Sequence, residues 1–268
     1  MRVCIALFGL NRSLPWTHRS IRENLMRPLK QYGAQVKLYG HFNMPQMIQN
    51  ARSGEIVESF KNKGVQLLPF DHVILAPQKD EETADLLEKF KLHNLQSNDT
   101  TVNTHRNLIN QYRSLHAVMQ IIQNIDGDEV DAVLFARPDL EYLNPLISAD
   151  VLPKVLDGNF DLLTPAWHRW GGLNDRVCLC NLHAAKIYAN RISIIDEVIS
   201  RKIPMNAESI LLHMVRKNFL KNGDLSLQAV RVRASGYTVD EGFDIDYLTQ
   251  LKFFNRRVVS KIRRMRGQ

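Results

Sequence analysis

Residues 130–140, VDAVLFARPDL, form a largely apolar run that ends abruptly in charged side chains. A run of this kind predicts a strand that is buried on both faces, as in a parallel sheet covered by helices. The segment before it, residues 105–124, carries apolar side chains at 4-3-4-3 spacing, which predicts an amphipathic helix. Together the two segments indicate an α/β unit in which this strand is central.

Strand and helix patterns alternate in both directions from this point. Strands are predicted at 2–10, 34–42, 65–70, 72–77, 160–167, 176–181 and near 226–233, and helices at 17–32, 43–63, 144–157, 184–199, 206–220 and from about 244. This order predicts an α/β fold with a mainly parallel central sheet flanked by helices, Rossmann-like in its layering.

The length of 268 residues, 44% of them hydrophobic, suits one domain with a large core. We expect the α/β domain to span residues 1–250. Within it, residues 78–104 are polar and rich in Lys, Glu and Asn, which predicts a mobile insertion. Residues 251–268 have apolar side chains on one helical face and basic ones on the other, which predicts an interfacial helix at an anionic membrane. A solvated terminus is the alternative.

The net charge of +7 is unevenly distributed along the chain. Residues 255–268 hold six Lys/Arg and no acid, so removing those six from the total leaves +1 for the rest. A nearly neutral body argues against a nucleic-acid-binding protein, which needs a basic face on its fold. No stretch reaches the ~18–20 apolar residues that a membrane span requires.

The cysteines indicate a reducing compartment. There are three, and Cys178 and Cys180 lie two apart in one predicted strand, on the same face, where they would not pair readily. We therefore expect a cytoplasmic protein without a disulfide framework. The opening segment MRVCIALFGLNRSLPW is more typical of a first strand than of a signal peptide.

The first candidate site lies where the central strand ends. Ligands of open α/β sheets bind at the carboxyl ends of the strands, which is where Arg137, Asp139 and Glu141 stand. Because residues two apart in an extended segment point the same way, Asp139 and Glu141 would present two carboxylates to one point, as Mg²⁺ or Mn²⁺ prefers. Arg137 would add bidentate hydrogen bonds to a phosphate or a sugar carboxylate. An ordinary solvated strand end is the alternative.

The second candidate site is the segment WHRWGGLNDRVCLC, residues 167–180. It gathers residues suited to binding a sugar or acceptor, namely Trp167, His168, Trp170, Gly171, Gly172 and Asn174. The indoles would stack on a sugar face, and the glycines would let the backbone approach a ligand. Asp175 would act as a general base. The alternative is a hairpin loop whose Trp residues cover the edge of the core.

Two further segments contribute polar side chains. Glu208 stands in the first turn of a predicted helix, either as a second candidate base or as a carboxylate that stabilises the helix dipole. The turn GLNRS after the first strand would cradle a base or phosphate and supplies Gly9, Asn11, Arg12 and Ser13. Neither the GxGxxG nor the GxxxxGK[ST] spacing is present, so a simple turn is the alternative. The GxSxG and zinc-ligand spacings are absent as well.

With these pieces in order, the chain resembles bacterial glycosyltransferase-like proteins of capsule and lipopolysaccharide loci. The likeness is carried, in sequence, by the first strand with GLNRS, by NLINQYRSLHAVMQII before VDAVLFARPDLEY, by WGGLNDRVCLCN, and by NAESILLHMV. Together these cover roughly residues 1–30 and 105–220.

The resemblance implies a nucleotide-sugar-binding fold of the type A glycosyltransferase kind. In that group a D-x-D element at a strand end holds a divalent metal, Mn²⁺ or Mg²⁺, against the donor diphosphate. Asp139-Leu140-Glu141 is similar but ends in Glu. The implied partners are a nucleotide-sugar donor and a glycan or lipid-linked acceptor, used in surface polysaccharide synthesis in the cytoplasm, with the basic tail at the inner face of the membrane.

The chemistry of sugar transfer fits these residues. The leaving diphosphate must be neutralised, and Arg137, Asp139 and Glu141 would serve that need directly or through a metal. A carboxylate must deprotonate the acceptor hydroxyl, and Asp175 or Glu208 would do so.

Two other function classes remain open. GLNRSL loosely resembles a strand–loop–helix phosphate site, which would suit a sulfotransferase-like enzyme, although no Gly follows Ser13. A non-catalytic α/β binding or scaffold protein would keep the fold without turnover. Nucleotide preference separates the first two classes, and turnover separates both of them from the third.

Overall fold

The structure is a computed structural model that describes residues 1–45, 47–50, 55–57, 64–78, 81–93 and 99–243. A central sheet contains β1 (Arg2–Leu10), β2 (Gln35–Met44), β5 (His72–Pro77), β6 (Ala132–Ala136), β8 (Leu162–Pro165), β9 (Val177–Asn181) and β10 (Asn222–Leu225). Two small antiparallel pairs lie outside it, formed by β3 (Ile48–Asn50) with β4 (Glu55–Val57) and by β7 (Leu140–Tyr142) with β11 (Ala229–Arg231).

The central sheet confirms the predicted fold class. Its strand order is β10-β8-β9-β6-β1-β2-β5, and β9 is the one strand among these seven that runs against the others. Strands β1 and β6, the two longest apolar runs of the sequence analysis, are neighbours at its centre, with Ile5 opposite Leu134. The result is a mainly parallel α/β sheet.

Helices cover both faces of the sheet. They are α1 (Leu14–Ser20), a π-helical segment (Ile21–Met26), α2 (Arg27–Gln31), α3 (Glu81–His93), α4 (Asp99–Ile125), α5 (Ser148–Leu156), α6 (Leu182–Ala189), α7 (Ile195–Ser200) and α8 (Ala207–Lys217). Side chains alternate across β1, so Ile5 packs in one core with Leu25 and Leu152, while Phe8 packs in the other with Leu115 and Tyr188.

Several local predictions differ from the structure. The predicted helix at 43–63 is wrong for the described residues, because β2 continues to Met44 and β3 pairs with β4 as antiparallel strands. Pro45 is a turn former, and it outweighs the helical periodicity that follows Met44. The predicted strand at 65–70 begins as a 3₁₀ turn, Val65–Leu67.

The predicted insertion at 78–104 contains regular structure in its described part. Helix α3 occupies Glu81–His93, and α4 already begins at Asp99. Its mobility stays a prediction. The tail at 251–268 and the predicted helix from about 244 lie outside the described residues.

Two further observations bear on the predictions. Cys178 and Cys180 are buried free thiols on β9 whose Sγ atoms lie 3.2 Å apart, which places them in the core as small apolar residues. Within the described ranges, no helix combines the length and hydrophobicity that crossing a membrane demands.

Candidate active site

The candidate residues of the sequence analysis converge on one edge of the sheet. Strands β1 and β6 end there side by side, and β9 starts there, because Ala136 is the register partner of both Leu7 and Val177. Helix α1, which follows the turn after β1, is tied to the turn after β6 by a hydrogen bond from Thr17 Oγ1 to the Pro138 carbonyl, 2.6 Å. Segments 9–13, 137–141 and 167–176 are thereby brought to the same edge, as the rule for parallel sheets predicts.

Asp139 is the anchor of this edge. Its side chain is buried and accepts two hydrogen bonds of 2.9 Å from Arg137 and one of 2.8 Å from Arg12. Burial opposes ionisation, but the charges of Arg137 and Arg12 outweigh it and hold the pKa of Asp139 well below its usual range. The aspartate therefore orients two guanidinium groups.

These contacts leave Asp139 and Glu141 poorly suited to a divalent metal. Both oxygens of Asp139 already accept hydrogen bonds from guanidinium groups, which a cation would have to displace. Glu141 lies half-buried on β7. In the described part of the chain, no group of three or more His, Cys, Asp or Glu side chains could hold a metal ion. The residues present do not fit the Mn²⁺ or Mg²⁺ expected from the sequence.

Gln111 connects the anchor to the candidate base. Arg137 Nη1 donates to Gln111 Oε1 at 2.9 Å, and Gln111 Nε2 donates to Asp175 Oδ2 at 2.8 Å. Asp175 also lies 4.0 Å from Nη1 of Arg191, a fully buried guanidinium. Asp175 is thus fixed from two sides and is itself almost fully buried.

Arg191 is held by aromatic rings. Its guanidinium lies over the rings of Tyr112 and Tyr188, 4.8 and 4.2 Å from their centroids. Burial alone would lower the pKa of Arg191, but the surrounding tyrosines and Asp175 raise it, so a fixed positive charge stands behind Asp175.

Glu208 is the more accessible of the two candidate bases. Asn206, not Glu208, caps helix α8, because its side chain accepts from Ser209 N at 2.8 Å. Burial and the negative charge of Asp175 raise the pKa of Glu208 to about 7. Glu208 is therefore poised to exchange a proton near neutral pH.

A glycine brings the loop before β9 against Glu208. Leu173 N donates to the Glu208 carbonyl at 3.1 Å. A Cβ added to Gly172 would lie 2.0 Å from that same carbonyl oxygen. The close approach accounts for a glycine at this position.

The remaining residues of this loop divide into structural and exposed members. Trp167 is buried and donates to the Leu227 carbonyl at 2.7 Å, and Asn174 is buried and donates to the Trp167 carbonyl at 2.8 Å. Trp170 is 59% exposed. The left-handed φ values of His168 (47°) and Trp170 (44°) show backbone strain at this edge, whereas Gly171 adopts its φ of 79° without strain.

The turn after β1 is mostly structural. Gly9 has φ 101°, and its N–H donates to Ser114 Oγ at 2.7 Å. Ser13 is buried and donates to the Val232 carbonyl at 2.5 Å. Asn11 is buried as well. Of the four residues predicted here, Arg12 is the one that forms an ion pair with Asp139.

Sequence reasoning missed several members of the site. Two of them are arginines from 231–233, RVR, and their spacing of two in a predicted strand was a usable signal that both point the same way. Gln111 gave a weaker signal, since it is a polar residue beside the apolar stripe of α4. Glu55 and Glu241, which pair with arginines of the site, gave none.

Comparisons with known proteins add the following. No family model matches the chain, and no curated protein matches it. Among solved structures, the chain is similar to the apo form of mouse xyloside xylosyltransferase 1, at 12% identity and a TM-score of 0.40, over 84% of this chain and 85% of that one.

Proposed function

We propose that the chain is a glycosyltransferase that moves a sugar from a nucleotide-sugar donor to a glycan or lipid-linked acceptor in surface polysaccharide synthesis. One observation carries the proposal. At a single edge of the sheet, Gln111 links the half-buried guanidinium of Arg137 to Asp175, whose negative charge helps to raise the pKa of Glu208 to about 7. Sugar transfer needs both kinds of group.

The carboxylate pair supports the role of general base. When the bond between the sugar C1 and the donor phosphate breaks, the phosphate oxygen keeps the electron pair, and the acceptor oxygen bonds to C1. The acceptor proton then has to leave. Glu208 is partly ionised at neutral pH and is a stronger base than an ordinary carboxylate. Asp175, held by Gln111, raises the pKa of Glu208 through its negative charge.

The guanidinium groups support the role of leaving-group stabiliser. Arg12 and Arg137 are fixed by Asp139, so they would not need to reorganise when charge develops on the diphosphate. Asp139 acts in this scheme by positioning the two arginines. The exposed indole of Trp170 is the surface we assign to the acceptor or transferred sugar.

The test is release of nucleotide from a panel of UDP-, GDP- and CMP-sugars, measured in EDTA and in Mn²⁺. We expect slow donor hydrolysis with one nucleotide class. Glu208→Gln is expected to lower turnover by roughly 10²–10⁴-fold, as for loss of a general base. Glu23→Gln is the control, because Glu23 pairs with Arg27 on the outer surface.

Two results would contradict the proposed activity, and a third would contradict the role of Glu208. Stabilisation by adenosine bisphosphate alone would favour the sulfotransferase-like alternative. Nucleotide binding without turnover would favour a scaffold. Equal turnover in Glu208→Gln and Glu23→Gln would remove Glu208 from the reaction.

A further inference from the structure

Two arginines outside the predicted site flank its anchor. Arg231 ends β11, and Arg233 follows two residues later, so both side chains leave the same side of the extended backbone. Val232 between them is buried. Its N–H donates to the Asp139 carbonyl at 2.9 Å, and its own carbonyl accepts from Ser13. The backbone between Arg231 and Arg233 is therefore hydrogen-bonded to the turns after β1 and β6.

The two side chains are only loosely paired. Arg231 Nη2 lies 3.5 Å from Glu241, and Arg233 Nη1 lies 3.7 Å from Glu55. Among the described residues, Arg231 Nε, Arg233 Nη1 and Arg12 Nε have no hydrogen-bond partner although all three atoms are buried. Buried donors without acceptors are costly, so these guanidinium groups keep hydrogen-bonding capacity that the oxygen atoms of a ligand would satisfy.

The local charge favours an anion. Five arginines around Asp139 form what we call the arginine cluster: Arg12, Arg137, Arg176, Arg231 and Arg233. The carboxylates that pair with them number three: Asp139, Glu55 and Glu241. Burial and repulsion from Arg176 and Arg137 lower the pKa of Arg231 to about 10. Burial and Arg12 likewise lower the pKa of Arg233. A negative ligand would relieve this repulsion.

We propose that Arg231 and Arg233, together with Arg12, form a diphosphate-binding site that works without a divalent cation. The guanidinium group matches phosphate oxygens in geometry. The arginines also supply the positive charge that a metal ion would otherwise supply, since Asp139 and Glu141 are not suited to hold one. Glu55 and Glu241 each contact two arginines of the cluster, so they are the side chains with which an entering phosphate competes.

This inference deepens the proposed function by assigning the residues that hold the donor diphosphate. It rests on the proposed function only for the identity of that diphosphate. The same chemistry is present in inorganic pyrophosphate and in a nucleoside diphosphate, so both serve as probes.

The experiment is calorimetric titration of the full chain with inorganic pyrophosphate in EDTA, repeated with Mg²⁺. We expect binding in EDTA that Mg²⁺ does not strengthen. Arg231→Gln and Arg233→Gln should each weaken it about tenfold or more, as for loss of a charge-assisted hydrogen bond. Arg27→Gln, at a surface arginine whose side chain is 62% exposed, is the matched control and should bind as the parent does.

A gain-of-affinity variant guards against loss of binding through misfolding. Glu241→Gln removes a competing carboxylate and should tighten pyrophosphate binding several-fold. Binding that requires Mg²⁺, or equal affinity in Arg231→Gln, Arg233→Gln and Arg27→Gln, would overturn the inference, as would weaker binding in Glu241→Gln.

The outcomes separate the two proposals. Metal-free pyrophosphate binding through Arg231 and Arg233 without turnover of any nucleotide sugar would keep the site and remove the glycosyltransferase. Turnover of a nucleotide sugar together with Mg²⁺-dependent pyrophosphate binding would keep the glycosyltransferase and remove the metal-free diphosphate site. A nucleoside diphosphate that binds more tightly than pyrophosphate would identify the nucleotide as the source of the phosphates.

Discussion

At the scale of single residues, the pKa of Glu208 makes a prediction about stability. Its folded pKa of about 7 lies above its ordinary value of 4.5, so the folded protein binds this proton more tightly than the unfolded chain. Stability should therefore fall as pH rises from about 4.5 to about 7, by roughly 1–3 kcal/mol. Urea unfolding at a series of pH values would measure it.

Glu208→Gln should flatten that pH dependence, because the amide does not titrate. Glu23→Gln should leave the pH dependence as in the parent. Matching curves for parent and Glu208→Gln would show that Glu208 titrates alike in the folded and unfolded states, and the base role would lose its support.

Gly172 makes a second prediction at this scale. Alanine there would place a Cβ 2.0 Å from the Glu208 carbonyl oxygen, so the loop or the start of α8 must move. We expect a loss of stability of about 1–3 kcal/mol, as for an overpacked site, and a larger loss of activity because Glu208 shifts. Gly242→Ala is the control, since its Cβ would meet nothing within 4 Å. Similar urea midpoints for both variants would contradict this reading of the close approach.

At the scale of elements, Asp139 joins the turn after β6 to the turn after β1. Asp139→Ala would leave Arg137 and Arg12 partly buried beside each other without their shared counter-ion. Breaking a buried ion pair from one side costs about 3–5 kcal/mol, so we expect this loss in urea unfolding. Asp150→Ala, at an exposed aspartate in the first turn of α5, provides the control.

The metal-ligand hypothesis makes the opposite forecast for the same variant. If Asp139 served mainly to hold a cation, Asp139→Ala would keep its stability in EDTA and lose a stabilisation that Mn²⁺ gives to the parent. Unfolding of parent and variant with and without Mn²⁺ therefore decides between an anchor and a ligand.

At the scale of the whole molecule, the sequence was sufficient to predict the layers of helices and sheet. It was also sufficient to predict the sheet edge at which the candidate site residues meet. The apolar runs of β1 and β6 and the stripe of α4 are long and regular, so their types were readable, and parallel strands must end at one edge. Arg137 and Asp139 were predicted to lie at this edge because they directly follow β6, Asp175 because it precedes β9, and Glu208 because it stands in the first turn of α8.

Other parts of the site were out of reach of sequence reasoning. Glu55 and Glu241 come from segments far apart in the chain, and their pairing with Arg12 and Arg176 depends on tertiary structure alone. The spacing of Asp139 and Glu141 suggested a shared cation, but the sequence could not show that Arg12, from the turn after β1, joins Arg137 in occupying the Asp139 carboxylate. Local spacing gives the direction of a side chain, whereas its partners are set by the packing of distant segments.

The arginine cluster also makes a prediction about the stability of the whole chain. Because its members come from the turns after β1 and β6, the start of β9 and the end of β11, an anion that binds them binds the folded chain and not the unfolded one. Pyrophosphate at 100 times its dissociation constant should then add about 2.7 kcal/mol to the free energy of unfolding.

Scanning calorimetry in EDTA would show this gain as a rise in Tm, with sodium chloride of equal ionic strength as the control. The rise should be lost in Arg231→Gln and kept in Arg27→Gln. It should also shrink as chloride is added, since salt screens the attraction between phosphate and guanidinium. An equal rise with chloride alone would mean that pyrophosphate acts on the surface charge of the molecule and not on a site built from its central strands.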